Sequence, residues 1–137
     1  IAPTTCCATE HGGLPMSTEL MLGSCNGAPY VTCMQKEEII HSPGDFLDML
    51  AWGGEHDTNR ILLQEEHFAR AFYDLKTGFA GEVLQKLSNY GCRLAIAGSF
   101  TTVRSERFRE LMREANKGGQ LRFASTEQDA VDWLTSR

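Results

Sequence analysis

The chain has 137 residues and a formal net charge of −5 at pH 7, a length that suits one domain able to bury about two-thirds of its unfolded surface without cross-links. The acidic balance argues against nucleic acid as the main partner, because binding a phosphate backbone depends on clustered Lys and Arg. No apolar run approaches the roughly 18 residues needed to span a bilayer, so the expected protein is soluble, cytoplasmic and not membrane-bound.

Residues 1–17 carry Thr, Gly, Pro and Cys without periodicity and read as a disordered or appended extension, with Met16 as the native start. Residues 18–137 then form the domain. The five cysteines, Cys6, Cys7, Cys25, Cys33 and Cys92, are odd in number and show no C-x-x-C pair. They read as free thiols, and Cys6-Cys7 with His11 is a weak metal pattern.

Glu19–Leu22 and Pro29–Met34 are β-type runs around Asn26-Gly27, a strong turn dipeptide, and are expected to form a hairpin. Ser42-Pro43-Gly44-Asp45 supplies an N-cap hydroxyl, a first-turn proline and an acid for a helix, which Gly53-Gly54 is expected to end. Ile61-Leu62-Leu63 suits a strand buried on both faces of a parallel sheet. After a polar and aromatic connection, Ala80, Val83, Leu84 and Leu87 mark a helix from about Thr77 to Tyr90.

Cys92–Ala97 reads as the next strand and Ser105–Ala115 as an amphipathic helix. Gln120–Ala124 is the last strand, and Ser125 with Gln128 forms a capping box for a final helix. The order β-β-α-β-α-β-α-β-α implies an α/β fold: an N-terminal hairpin, then right-handed β/α units, giving a mixed, mostly parallel five-stranded sheet with about four helices.

In such sheets, strand C-terminal ends and helix N-termini gather on one edge, where free N–H groups favour anions. That edge holds Gln64, Glu65 and Glu66, then Asp74 to Gly78, then Gly98 to Thr102. Within Asp74-Leu75-Lys76-Thr77-Gly78 two readings stay open. Thr77 is an N-cap beside a solvated Lys76, or it is an exposed contact or modification site. The full phosphate-loop pattern is missing.

Other candidates are weaker. Cys92 reads as a core filler, and His41, His56 and His67 as surface or capping residues. Glu65-Glu66-His67 beside Asp74 reads as solvated acids before acid/base catalysis. Trp52 and Trp133 read as core-edge or partner contacts, not as a stacking platform. Arg104 to Lys117, five cations against three acids, reads as a solvated helix face, with an anion-attracting patch as the alternative.

Phe72-Tyr73-Asp74-Leu75-Lys76-Thr77-Gly78-Phe79-Ala80-Gly81-Glu82-Val83-Leu84-Gln85-Lys86-Leu87-Ser88-Asn89-Tyr90 and Arg93-Leu94-Ala95-Ile96-Ala97-Gly98 resemble the bacterial domain-of-unknown-function family numbered 4180. The resemblance runs from roughly Glu19 to Leu134 and includes Ser42–Asp48 and Glu114–Gly118. Family members usually carry an acid where this chain has Ser99, and a serine where it has Ala115. More loosely, the hairpin, the β/α units and Thr77-Gly78 are similar to STAS domains of anti-sigma-factor antagonists, which are phosphorylated at an Asp-Ser/Thr-Ser/Thr-Gly site. Here Lys76 replaces the first hydroxyl and Leu75 is added.

These readings lead to a non-catalytic regulatory or interaction domain, without metal or cofactor, meeting a protein partner through Asp74, Lys76, Thr77, Gly78, Gly98 and Ser99. The alternative is a small-ligand domain or weak enzyme on the same edge, with Glu65 or Asp74 as acid/base and Lys76 as anion anchor. A homo-oligomer is compatible with either.

Overall fold

A computed structural model of the chain describes residues 4–5, 20–33, 38–101 and 103–136. Cys6, Cys7, His11, Met16 and Met34 fall outside them. Its strands are β1 (Thr4–Thr5), β2 (Leu20–Cys25), β3 (Ala28–Cys33), β4 (Arg60–Gln64), β5 (Arg93–Ala97) and β6 (Leu121–Ala124). Its helices are α1 (Pro43–Glu55), α2 (Phe79–Tyr90), α3 (Glu106–Lys117) and α4 (Glu127–Leu134).

The strands lie side by side in sequence order. β2 and β3 pair antiparallel, from Leu20 opposite Cys33 to Cys25 opposite Ala28. Asn26 (φ 54°) and Gly27 (φ 77°) make the two-residue connection, the left-handed pair whose twist suits a tight hairpin. β3 to β6 run parallel. The five principal strands and four helices are those the sequence implies, and β1 adds a two-residue antiparallel strand beside Leu22 and Met21.

Alternation along the strands sorts side chains onto two faces. Ile61, Leu63, Leu94, Ile96, Leu121 and Phe123 join a core with Phe46 and Met49 of α1, Val83 and Leu87 of α2, and Phe108 of α3. The opposite face carries Leu62, Ala95, Ala97 and Ala124, against which α4 packs Ala130, Val131 and Leu134. Three crossover helices therefore share one face and α4 has the other. Because the strand order never reverses, the sheet lacks the switch-point crevice of doubly wound folds.

α4 is tied down at its C-terminal end by the sheet. Arg60 Nε donates to the Leu134 carbonyl at 3.1 Å, and Arg93 Nη1 donates to the Leu134 and Ser136 carbonyls at 3.4 and 2.8 Å. Cations suit these unsatisfied carbonyls at the negative end of the helix dipole. The Trp133 ring takes the guanidinium of Arg93 at 4.7 Å and that of Arg122 at 5.4 Å. No described helix is long and apolar enough to cross a membrane.

At three helix ends the capping or stop residue differs from the sequence reading. α1 continues through Gly53 and Gly54 to Glu55, because Gly53 is a packing residue: a Cβ there would lie 3.1 Å from the Thr58 carbonyl oxygen and 3.2 Å from a Val31 methyl. α4 is capped by Thr126, whose hydroxyl accepts from Asp129 N–H at 3.1 Å, and not by Ser125 with Gln128. α2 begins at Phe79 behind Gly78, which sits left-handed at φ 75° as its cap, so Thr77 is not the N-cap.

Leu134 is fully buried and is the last apolar anchor of α4. Leu134→Ala is expected to lower unfolding free energy by about 2–4 kcal/mol through lost burial and an unfilled cavity, read as a lower urea midpoint with an unchanged slope.

Candidate functional site

Between β4 and α2 the chain makes three 3₁₀ turns, Glu65–His67, Arg70–Tyr73 and Leu75–Thr77. The first is fixed by His67, which is fully buried. Its Nδ1 accepts from Gln64 N–H at 2.9 Å, so the ring's proton resides on Nε2 when the imidazole is neutral. The His67 carbonyl accepts from the N–H groups of Ile39 and Ile40 at 2.9 and 3.0 Å. His67 is thus a capping residue of the interior and not of the surface.

The second turn is held by Phe72, also fully buried. Its ring stacks on Phe68 with centroids 4.2 Å apart and meets Phe79 and Phe108 edge-on at 5.5 and 5.8 Å. Burial of Phe72 leaves Arg70 exposed on the same short turn. Tyr73 is half-buried, and its hydroxyl donates to the Glu65 carbonyl at 2.7 Å.

The third turn carries the residues on which the sequence reading centred. Asp74 Oδ1 accepts from Lys76 N–H at 3.0 Å. The Thr77 hydroxyl shares its proton between the carbonyls of Ala71 and Asp74, at 2.7 and 2.8 Å, and accepts from Phe79 N–H at 3.3 Å. Thr77 therefore closes the turn ahead of α2 while remaining exposed.

The exit of β5 meets this insert through Glu65. A Cβ added at Gly98 would lie 2.6 Å from the Glu65 Cβ, so only glycine fits beneath that side chain. Glu65 Oε1 accepts from Phe100 N–H at 3.0 Å, and Phe100 adopts φ 56° while burying its ring against Phe123. Ser99 is exposed, its hydroxyl 3.4 Å from that of Thr101.

A cavity of about 600 Å³ opens between the two exits, lined by Arg70, Ala71, Tyr73, Asp74, Thr77, Val103 and Arg104. Asp74 and Thr77 thus share one hollow. Lys76 and Gly78 are exposed beside it without lining it. Gly98 and Ser99 are not among its described lining residues, and Gly98 approaches it through Glu65, whose carbonyl accepts from the Tyr73 hydroxyl. Sequence reasoning missed Arg70, Tyr73 and Arg104 as lining residues. The charge pattern groups Arg104 with the α3 face, yet it precedes the Ser105 cap and belongs to the loop; that cap is itself a usable sequence signal.

The remaining candidates are structural. Cys92 is buried and burial raises its thiol pKa, which opposes thiolate chemistry. It borders a second, apolar cavity of about 470 Å³ at the N-terminal ends of β4 and β5, beside the exposed Tyr90. Trp52 is buried and stacked on His56 at 4.0 Å. Among the described residues no group of three His, Cys, Asp or Glu side chains could hold a metal ion.

The fold and this hollow define an α/β domain with its crossover helices on one sheet face and a cavity built by a 3₁₀ insert at the strand C-terminal rim. The chain belongs to the family described as Domain of unknown function (DUF4180), whose model matches residues 25–134. No curated protein and no solved structure matches it.

Two predictions follow from the geometry around Tyr73 and Glu65. Burial, and then the charges of Glu65 and Glu66, push the Tyr73 phenol far above its ordinary pKa of 10.0. The folded chain then keeps a proton that the unfolded chain loses, so stability is retained below pH 10 and falls as pH rises above it. Tyr73→Phe is expected to cost about 1 kcal/mol at neutral pH through its lost hydrogen bond and to flatten that alkaline fall, measured by denaturation at a series of pH values. Tyr30 and Cys92, also raised, leave a residual slope.

Gly98→Ala is expected to destabilise by about 1–3 kcal/mol through overpacking. In a Glu65→Gly background, where the opposing Cβ is gone, the same change is expected to cost less than half as much, an interaction readable in a double-mutant cycle.

Proposed function

We propose that this chain is a cytoplasmic, bacterial, non-catalytic recognition domain that meets a protein partner through the rim carrying Asp74, Lys76 and Thr77. One observation carries the reading. These three exposed residues lie on a turn locked by side-chain-to-backbone bonds of Asp74 and Thr77 at the mouth of a 600 Å³ hollow. A surface already rigid before contact loses little conformational freedom on binding.

Gly98 and Ser99 extend the contact surface across the Glu65 bridge. The similarity to STAS domains supports a switch at Thr77. A phosphate there would replace the hydroxyl proton shared by the Ala71 and Asp74 carbonyls and place up to two negative charges beside Asp74. Both effects would loosen the turn and change the face presented to the partner.

A second reading, a small-ligand domain on the same rim, is favoured by the cavity volume, which falls within the roughly 300–1,000 Å³ usual for ligand pockets. Acid/base work by Glu65 fits less well, since its carboxylate already accepts from Phe100 N–H.

The partner reading is tested by quantitative affinity capture from a bacterial lysate with wild type, Thr77→Glu and, as a surface control, Gln85→Glu. The expected result is a protein retained by wild type and control but depleted about tenfold or more by Thr77→Glu, as an unfavourable charge at an interface would produce. Equal recovery on all three, or no enriched protein, rejects it.

A further inference from the structure

Resting on the rim as a recognition surface, we propose that the cavity between Arg70 and Arg104 receives a phosphoryl group, a phosphate monoester borne by a partner side chain or by a small molecule.

The two arginines reach this cavity from different elements, Arg70 from the turn after β4 and Arg104 from the loop after β5. Both are exposed, and neither makes a hydrogen bond or ion pair with any described residue. Asp74 is the only acid among the described residues of the lining, and its Oδ1 is engaged by Lys76 N–H. The lining therefore offers two cations against one anion, in a chain whose overall charge is −5.

The chemistry of the fork decides which anion fits. A guanidinium presents parallel N–H donors that match two oxygens at once, so one arginine saturates a planar carboxylate. Two arginines placed on opposite loops suit a group with three oxygens spread in space, which a phosphate monoester provides. The hollow has room for such a group together with the moiety that carries it. Its walls also supply apolar contact, from Ala71, Val103 and the ring of Tyr73.

The bridge at Glu65 keeps the two loops in register. Its carboxylate holds Phe100 N–H on the β5 side, and its carbonyl holds the Tyr73 hydroxyl on the insert side. Neither contact involves the arginines, so both side chains can be replaced without disturbing the frame.

The test is titration of the full chain with inorganic phosphate at constant ionic strength, followed by NMR amide shifts and thermal melting, for wild type, Arg70→Gln, Arg104→Gln and the double variant. The expected result is saturable binding by wild type, with shifts centred on residues 70–77 and 103–104. Each single variant is expected to weaken it about tenfold, the equivalent of one charge-assisted hydrogen bond, and the double variant to abolish it.

Binding that is equally strong in the double variant, or no saturable binding by wild type, overturns the inference. A parallel arm compares a phosphoserine-containing peptide with its unphosphorylated form and with a small phosphate monoester. Tighter binding of the phosphopeptide than of the small ester assigns the phosphoryl group to a partner protein, and the reverse assigns it to a small molecule. Should phosphate fail while partner capture still responds to Thr77→Glu, this inference falls alone. Should capture fail while phosphate binds, the protein-partner reading falls instead.

Discussion

Side-chain size differs between the two faces of the sheet, and the rest of the molecule is arranged around that difference. Ile61, Leu63, Leu94, Ile96, Leu121 and Phe123 fill one face, while Ala95, Ala97 and Ala124 flank Leu62 on the other. The bulky face accommodates three crossover helices, and the alanine face admits α4 at close range. Strands that advance in sequence order without reversal send every parallel crossover of one hand to the same side. The exits of β4 and β5 therefore neighbour each other at one rim, beneath the same layer of helices.

That arrangement explains why the recognition surface lies in an insert. Without a reversal of strand order there is no crevice between diverging loops, so a hollow must be built by added chain. The three 3₁₀ turns from Glu65 to Thr77 do this, anchored by two fully buried residues, His67 and Phe72. Glu65 then joins the insert to the β5 exit through Gly98 and Phe100. The glycine at position 98 is required by close approach, as its added Cβ would meet the Glu65 side chain.

The strands and helices were legible in the sequence because periodicity and caps act locally. Asn26-Gly27, Ser42-Pro43 and Ser105 each do what their chemistry dictates. Gly53 as a helix stop and Thr77 as the cap of α2 fail for a common reason: glycine both stops helices and permits close packing or a left-handed cap, and only the surroundings decide between these uses. The candidate site was half legible. Asp74 and Thr77 lie in one segment, whereas Arg70 and Arg104 come together only because β4 and β5 are neighbours, a juxtaposition that no single window of sequence contains.

The uses of the other arginines show why the pair at the rim stands apart. Arg60 and Arg93 hold the end of α4, Arg109 donates to the Val103 carbonyl at 2.6 Å, and Arg122 lies over Trp133. Arg107 and Arg113 are exposed on α3 and are not among the described residues that line the rim hollow. The chain has eighteen acids for thirteen Lys and Arg, so carboxylate partners are not scarce. Yet Arg70 and Arg104 border a common hollow whose only acid among the described residues, Asp74, has its Oδ1 held by a backbone N–H. Guanidinium groups left in that state keep their full capacity for an incoming anion, since no internal ion pair has to be broken before it binds.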